Sequence, residues 1–335
     1  MISVSEKKWE KQKVNKNLVE KVKQDYGFGN ILSHLIISRN YDSSEIYGIN
    51  NDQEIINIFK DDYDFQKASL ILLDTIKKNE KVCILGDYDV DGSCATSLFV
   101  RYFNHINLQH FFYIPDRVSD GYGASKKLFQ KLIIKKPKLI IMVDCGSNNI
   151  EAINYLNKNN IKSLVIDHHE IHKPYPKANV IINPKKDNGY SEYNYLCATS
   201  LTYFFLEILI KKTQCKINFK KYLIYVLMAT VCDVMPLRKL NRLISITALK
   251  EFNINDNHVF EELYNLSNKN NKITINDLGY LIGPILNSGG RLGKSNYATE
   301  LLSTNNPKII NKSIIINPFL KYKFLKKYLL FIDHI

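Results

Sequence analysis

Three short apolar strings, each running directly into an aspartate, constrain this chain more than any other feature. Lys81-Val82-Cys83-Ile84-Leu85 leads to Gly86-Asp87, KLIIMV (138–143) leads to Asp144, and SLVI (163–166) leads to Asp167. Strings this short and this apolar read as strands covered on both faces. HFFYI (110–114) and NVII (179–182) read as two more, while 93–103, 124–134 and 147–159 carry helical spacing. Strands alternating with helices predict an α/β fold built on a mostly parallel, doubly wound sheet. Residues 1–80 read as a helical N-terminal extension, with Leu18, Val19, Val22 and Tyr26 at helical spacing, and 196–255 as a helical C-terminal subregion.

In an open parallel sheet the carboxyl ends of the strands share one edge, where ligands bind. Three clusters should therefore converge there: Asp87-Tyr88-Asp89-Val90-Asp91-Gly92, Asp144-Cys145-Gly146 and Asp167-His168-His169. A fourth, Asp233 in ATVCDVMPL (229–237), follows an apolar helical run. Carboxylates packed together raise one another's pKa unless cations neutralise them. Aspartate oxygens with one or two imidazoles suit two ions of Mn²⁺ or Mg²⁺, and the histidines favour Mn²⁺. Two such ions can clamp a phosphodiester, activate a water and stabilise the leaving oxygen. One aspartate at a strand end is ordinarily a cap or a turn residue; three such ends plus a His-His pair point to a metal centre.

Composition supports an anionic partner, with a net charge of +13 and a pI near 9.2. The six cysteines include no C-x-x-C pair, which argues against a zinc ribbon and fits a reducing cytoplasm. The N-terminus lacks the apolar centre of a signal peptide, and the most apolar stretch, 201–210, is short and carries Glu207, so neither export nor a membrane span is expected. Two look-alikes fail on spacing. The loop from Asp87 would need Glu at position 98 to be an EF-hand and has Leu98; Gly293-Lys294-Ser295 lacks the first glycine of a P-loop, which falls on Ser288. A G-x-S-x-G elbow is absent.

In order along the chain, ILGDYDVDG (84–92), YIPDRVSDGYG (113–123), MVDCG (142–146), VIDHHE (165–170), INP (182–184), ATVCDVMPL (229–237) and GPILNSGGRLG (283–293) resemble the motif series of RecJ-type DHH-family phosphodiesterases. The resemblance runs from about residue 9 to 305 and implies a DHH phosphodiesterase domain over 81–305. It implies that Asp89 and Asp91 each bind one metal, that Asp144 bridges the two, and that His168 and Asp233 complete the second ion's ligands, with Asp87 supporting or joining the first. His169 would face the scissile phosphate and Asp167 would orient the histidines. Arg117, Asn287 and Arg291 would contact phosphates of the substrate. Tyr113 and Tyr122 could stack on a base, but tyrosine is abundant here, at 21 residues, and most are packing. The implied activity is 5′ to 3′ degradation of single-stranded DNA in repair and recombination, with a single-stranded-DNA-binding protein as a further partner.

The chain departs from the family pattern in three ways. Ile285 stands where members usually carry Arg or Lys, and Ala229 and Cys232 replace the commoner Gly and Ala. The Gly-Gly-His domain and oligonucleotide-binding fold that follow in such enzymes are not found within these 335 residues, and 306–335 reads as a divergent tail, with a truncated or frameshifted end expected ahead of the alternative, a basic-aromatic helix. Slow or distributive activity is the corresponding expectation, since phosphate contacts dominate the grip on single strands. Two rivals remain. An oligonucleotide or cyclic-dinucleotide phosphodiesterase of the same superfamily would carry histidine at the position of Leu85; a non-catalytic DNA-binding relative would have lost ligands that are all present here.

Overall fold

The computed structural model describes residues 8, 10, 12–116, 120–121, 123–187, 190–267, 269, 272–291 and 293–316. The chain divides into two compact units, 1–55 and 56–335. In the first, α1 (Lys16–Tyr26), α2 (Asn30–Ser38) and α3 (Ser43–Asn50) enclose a small core of Val22, Phe28, Ile36 and Ile46. Asn15 caps α1, and Asp42 forms a capping box with Glu45 at the start of α3, so local hydrogen bonds fix both helix starts.

The second unit opens with α4 (Tyr63–Lys77), capped by Asp62. There follow β1 (Val82–Leu85), α5 (Val90–His105), β2 (His110–Tyr113), α6 (Lys126–Leu132), β3 (Leu139–Val143), α7 (Ile150–Lys158), β4 (Lys162–Ile166) and β5 (Val180–Ile182). The sheet order is β2-β1-β3-β4-β5 and every pairing is parallel, as the alternation of elements requires. Cys83, Leu85, Ile140, Met142, Val165 and Ile181 form one face and pack on Leu128, Phe129, Ile153 and Leu156 of α6 and α7. The alternate residues meet α5 and the later helix α8 (Ala198–Thr213), so the sheet is covered on both sides. The observed strands lie within one residue of those read from sequence.

Helices follow to the end of the described chain: α9 (Leu223–Cys232), α10 (Lys239–Glu251), α11 (His258–Leu266), a single turn α12 (Ile275–Asp277), a π-helical segment over Leu278–Ile282, α13 (Gly283–Arg291), α14 (Tyr297–Ser303) and α15 (Pro307–Ile316). Two elements differ from expectation. The central helix α5 begins at Val90 instead of Ser93, because Asp89 caps it by accepting from the Gly92 amide at 2.9 Å. Part of the segment read as a divergent tail is helix: Ile310 and Ile314 of α15 are buried, and α15 packs on α11. The rest of that segment, 317–335, lies outside the described residues. Among the described residues no helix is long and apolar enough to cross a membrane.

Candidate metal centre

The register fixes which side chains meet. Leu85 pairs with Met142, Met142 with Val165, and Val143 with Ile166, so the residues that follow these strands emerge along one edge. The ladder continues one step beyond the strands, where the Asp144 amide donates to Ile166 O at 2.9 Å and the Asp167 amide to Ile182 O at 3.0 Å. Asp144 then turns into the left-handed region, φ +59°, a conformation aspartate tolerates better than most residues. Gly92 lets the first turn of α5 lie against the preceding loop, since a Cβ there would sit 2.6 Å from the backbone of Asp87. Asp233 arrives from elsewhere, at the C-terminal end of α9.

The four clusters converge. Ligand atoms of Asp87, Asp89 and Asp144 lie within 4.8 Å of one another, as do those of Asp91, His168 and Asp233, and those of Asp144, His168 and His169. His168 Nε2 stands 3.3 Å from Asp144 Oδ1, 3.5 Å from Asp233 Oδ2 and 3.6 Å from Asp91 Oδ2. Both carboxylate oxygens of Asp144 and both ring nitrogens of His168 are buried without a hydrogen-bond partner. Orphaned buried polar atoms cost about 1–3 kcal/mol each, and carboxylates more. Three of them, both Asp144 oxygens and His168 Nε2, lie beside further carboxylates and are a donor set that fits divalent cations. The geometry offers two adjoining positions that share Asp144.

Charge at the centre follows the same logic. Burial and the neighbouring Asp89 push Asp87 up to about 7. Burial, then Asp91, raises Asp89; burial, then Asp91 and Asp89, raises Asp144 well above the carboxylate range. Burial and Asp91 lift Asp233 to about 6. Asp167 goes the other way: burial opposes its ionisation, but bonds from His169 and Ser147 outweigh that and hold it at about 2. Its Oδ1 accepts from the backbone amides of His168 and His169 and from His169 Nδ1 at 2.8 Å, and its Oδ2 from the Ser147 amide. That bond raises His169 to about 9, and its ring is 45% exposed.

Two features of the site were not legible in the sequence. Asp91 is also the cap of α8, over a separation of more than a hundred residues. Its carboxylate accepts from the Ala198 and Thr199 amides at 2.8 Å each, and Thr199 Oγ1 donates to Asp91 O at 2.8 Å. The local N-cap, Cys197, supplies no side-chain bond, and that missing cap in CATS was the available signal. Asp91→Ala should therefore lower stability in EDTA by about 2 kcal/mol, read from chemical denaturation, because two buried amides lose their acceptor. An unchanged midpoint would show that water replaces the carboxylate. Asn183 of the INP motif is the second feature: its Nδ2 donates to Ser147 Oγ at 2.8 Å and to His169 O at 2.9 Å, tying β5 to the His-His turn.

The expected phosphate contacts are placed less completely. Arg117 and Tyr122 lie outside the described residues, and Arg291 is described only in its backbone, at the end of α13. Asn287 is on α13, its Oδ1 buried without a partner. That helix reaches the site's flank because Gly283 lies against α9; a Cβ there would stand 2.4 Å from Cys232 Sγ, next to Asp233. Ile285 is fully buried and belongs to the core. Tyr113 donates its hydroxyl to Asp120 at 2.6 Å. Asp116 accepts from Ser295 at 3.3 Å, which joins the PDR segment to the loop after α13.

Known proteins share this fold and parts of this sequence. Residues 81–230 match the DHH family, N-terminal domain. The single-stranded-DNA-specific exonuclease RecJ of Haemophilus influenzae is 29% identical over 254 residues, 72% of this chain and 44% of the relative. The RecJ of Bacillus subtilis is 24% identical over 302 residues, 89% of this chain and 38% of the relative. The chain thus spans less than half the length of these two relatives. Among solved structures, RecJ in complex with Mn²⁺ from Thermus thermophilus superposes with a TM-score of 0.74 at 18% identity, over 94% of this chain and 45% of that one. The DHH match over the sheet, together with RecJ relatives whose likeness extends beyond it, makes RecJ-type proteins of the DHH family what this chain is similar to.

Proposed function

We propose that this chain hydrolyses phosphodiester bonds of single-stranded DNA as a metal-dependent 5′ to 3′ exonuclease serving repair and recombination. The observation that carries the reading is the buried, unpartnered set of Asp144 oxygens and His168 Nε2 at the junction of two carboxylate groups. In this reading Asp87, Asp89 and Asp144 hold one ion of Mn²⁺ or Mg²⁺, and Asp91, Asp144, His168 and Asp233 hold the other. Such a pair supplies Lewis-acid charge to a phosphodiester and its leaving oxygen. Asp167 fixes the angle of His169 and holds its proton through Nδ1, so the protonated ring presents its Nε2 side to a phosphate oxygen. Asn287, Arg117 and Arg291 contact flanking phosphates, aided by the net charge of +13. The phosphodiesterase domain spans 81–305, with 1–80 as a helical extension. The substrate and polarity rest on the RecJ relatives. A single-stranded-DNA-binding protein is the partner that would deliver substrate.

The test is release of mononucleotides from 5′-labelled single-stranded DNA with Mn²⁺ or Mg²⁺. We expect release that EDTA abolishes and that duplex DNA does not support. A folded, Mn²⁺-binding protein that releases nothing from DNA, yet cleaves a cyclic dinucleotide, would transfer the proposal to that substrate class.

A further inference from the structure

Val234 follows Asp233 and combines two properties that oppose its residue type. Its backbone is left-handed, φ +56°, which a branched Cβ disfavours more than almost any other side chain. The residue is 86% exposed, so burial among the described residues does not offset that cost. The hydrogen bonds explain the conformation but not the residue. The Val234 amide donates to Val231 O at 3.2 Å and the Met235 amide to Thr230 O at 2.9 Å, which is the Schellman closure of α9, with Val234 at the position that glycine fills most easily. The other non-glycine residues described with positive φ are Asn, Asp, Gln and Lys, none of them β-branched. Strain held by the surrounding structure beside a reactive centre is a pointer to function.

The position supplies the function. Asp233, the preceding residue, has its Oδ2 3.5 Å from His168 Nε2 and is the most exposed of the carboxylates that meet there, at 29%. An exposed apolar side chain at that point lies where a nucleotide flanking the scissile bond would pass. It offers no charge or hydrogen bond, so it suits the apolar face of a base and not a phosphate. We infer that Val234 is a positioning residue that packs against the nucleobase next to the bond being cut. The inference rests on the phosphodiesterase reading and deepens it by assigning a base contact that does not read sequence.

The experiment compares the parent chain with Val234→Gly on two oligodeoxynucleotides, one normal and one abasic at its first 5′ positions. Glycine relieves the backbone, so the midpoint of unfolding should stay level or rise. On the normal strand KM should rise about tenfold, the order expected for losing burial of one valine side chain, with little change in kcat. On the abasic strand the two proteins should have the same KM. An equal loss on both strands, or no loss on either, would overturn the base contact while leaving the phosphodiesterase reading intact. Failure of the parent chain to cut either strand would remove that reading and this inference together.

Discussion

Replacing Asp144 by asparagine is expected to abolish nucleotide release and, in EDTA, to make the protein more stable. Asp144 is the one side chain common to the Asp87–Asp89 group and the His168–His169 group. Neither of its buried oxygens has a hydrogen-bond partner, and Asp91, Asp89, Asp167 and Asp87 all oppose its ionisation. Asparagine keeps the shape and tolerates the left-handed backbone at φ +59°. It also brings an amide that can donate to a neighbouring carboxylate, and it removes the cost of keeping an ionisable group neutral or buried, so stability should rise by roughly 1–3 kcal/mol. The same change deprives both ion positions of their shared ligand, and a loss of several kcal/mol in transition-state stabilisation corresponds to at least about a thousandfold in rate. Calorimetry in EDTA and the nucleotide-release assay check the two halves separately. A less stable Asp144→Asn protein would mean that the carboxylate is satisfied without metal and that the centre is structural.

The contrast with Asp91 shows what the sequence could carry and what it could not. Both residues sit in acidic motifs, and pattern alone gives them the same chemistry. The structure separates them because Asp91 caps α8 and Asp144 caps nothing. A cap supplied from a distant segment leaves no spacing for a reader to find. By contrast the strands of the sheet were legible, though not their order, since apolar strings of four to five residues between amphipathic helices have few alternatives. Convergence of Asp87, Asp144 and Asp167 followed from it, because parallel strands place their carboxyl ends on one edge. Asp233 needed the motif resemblance, for no periodicity tells where the end of a helix such as α9 will dock. The helical state of α13 was hidden as well: GPILNSGGR carries a proline and three glycines, which favour a loop, and packing of Ile285 and Leu286 in the core overrides that preference.

Acidity should govern stability in opposite senses with and without metal. In the folded, metal-free protein Asp87 is raised to about 7, Asp233 to about 6, and Asp89 and Asp144 are raised as well, against 3.8 for a free aspartate. A group whose folded pKa is raised contributes stability that is fully present below its unfolded value and is lost as pH rises through the folded one. For Asp87 and Asp233 the loss therefore falls mainly between pH 4 and 7, Asp89 and Asp144 act in the same direction, and Asp87 alone accounts for on the order of 4 kcal/mol. Asp167, lowered to about 2, contributes above pH 4 and weakens only in stronger acid, so it does not mask the trend. His169, raised to about 9, contributes fully below pH 6.5 and declines above it, which extends the fall to the alkaline side. In EDTA the midpoint of thermal unfolding should thus drop steadily from about pH 5 to pH 8. Mn²⁺ binds the same oxygens that otherwise hold protons, so its stabilising effect should be small at pH 5 and large at pH 8. At a hundred times its dissociation constant the ion adds about 2.7 kcal/mol, which for a domain of this size is on the order of 5–10 °C. A metal-induced shift that stays constant across this range would show that the carboxylates are already ionised without metal, and that the fold accommodates their repulsion by admitting water to the centre.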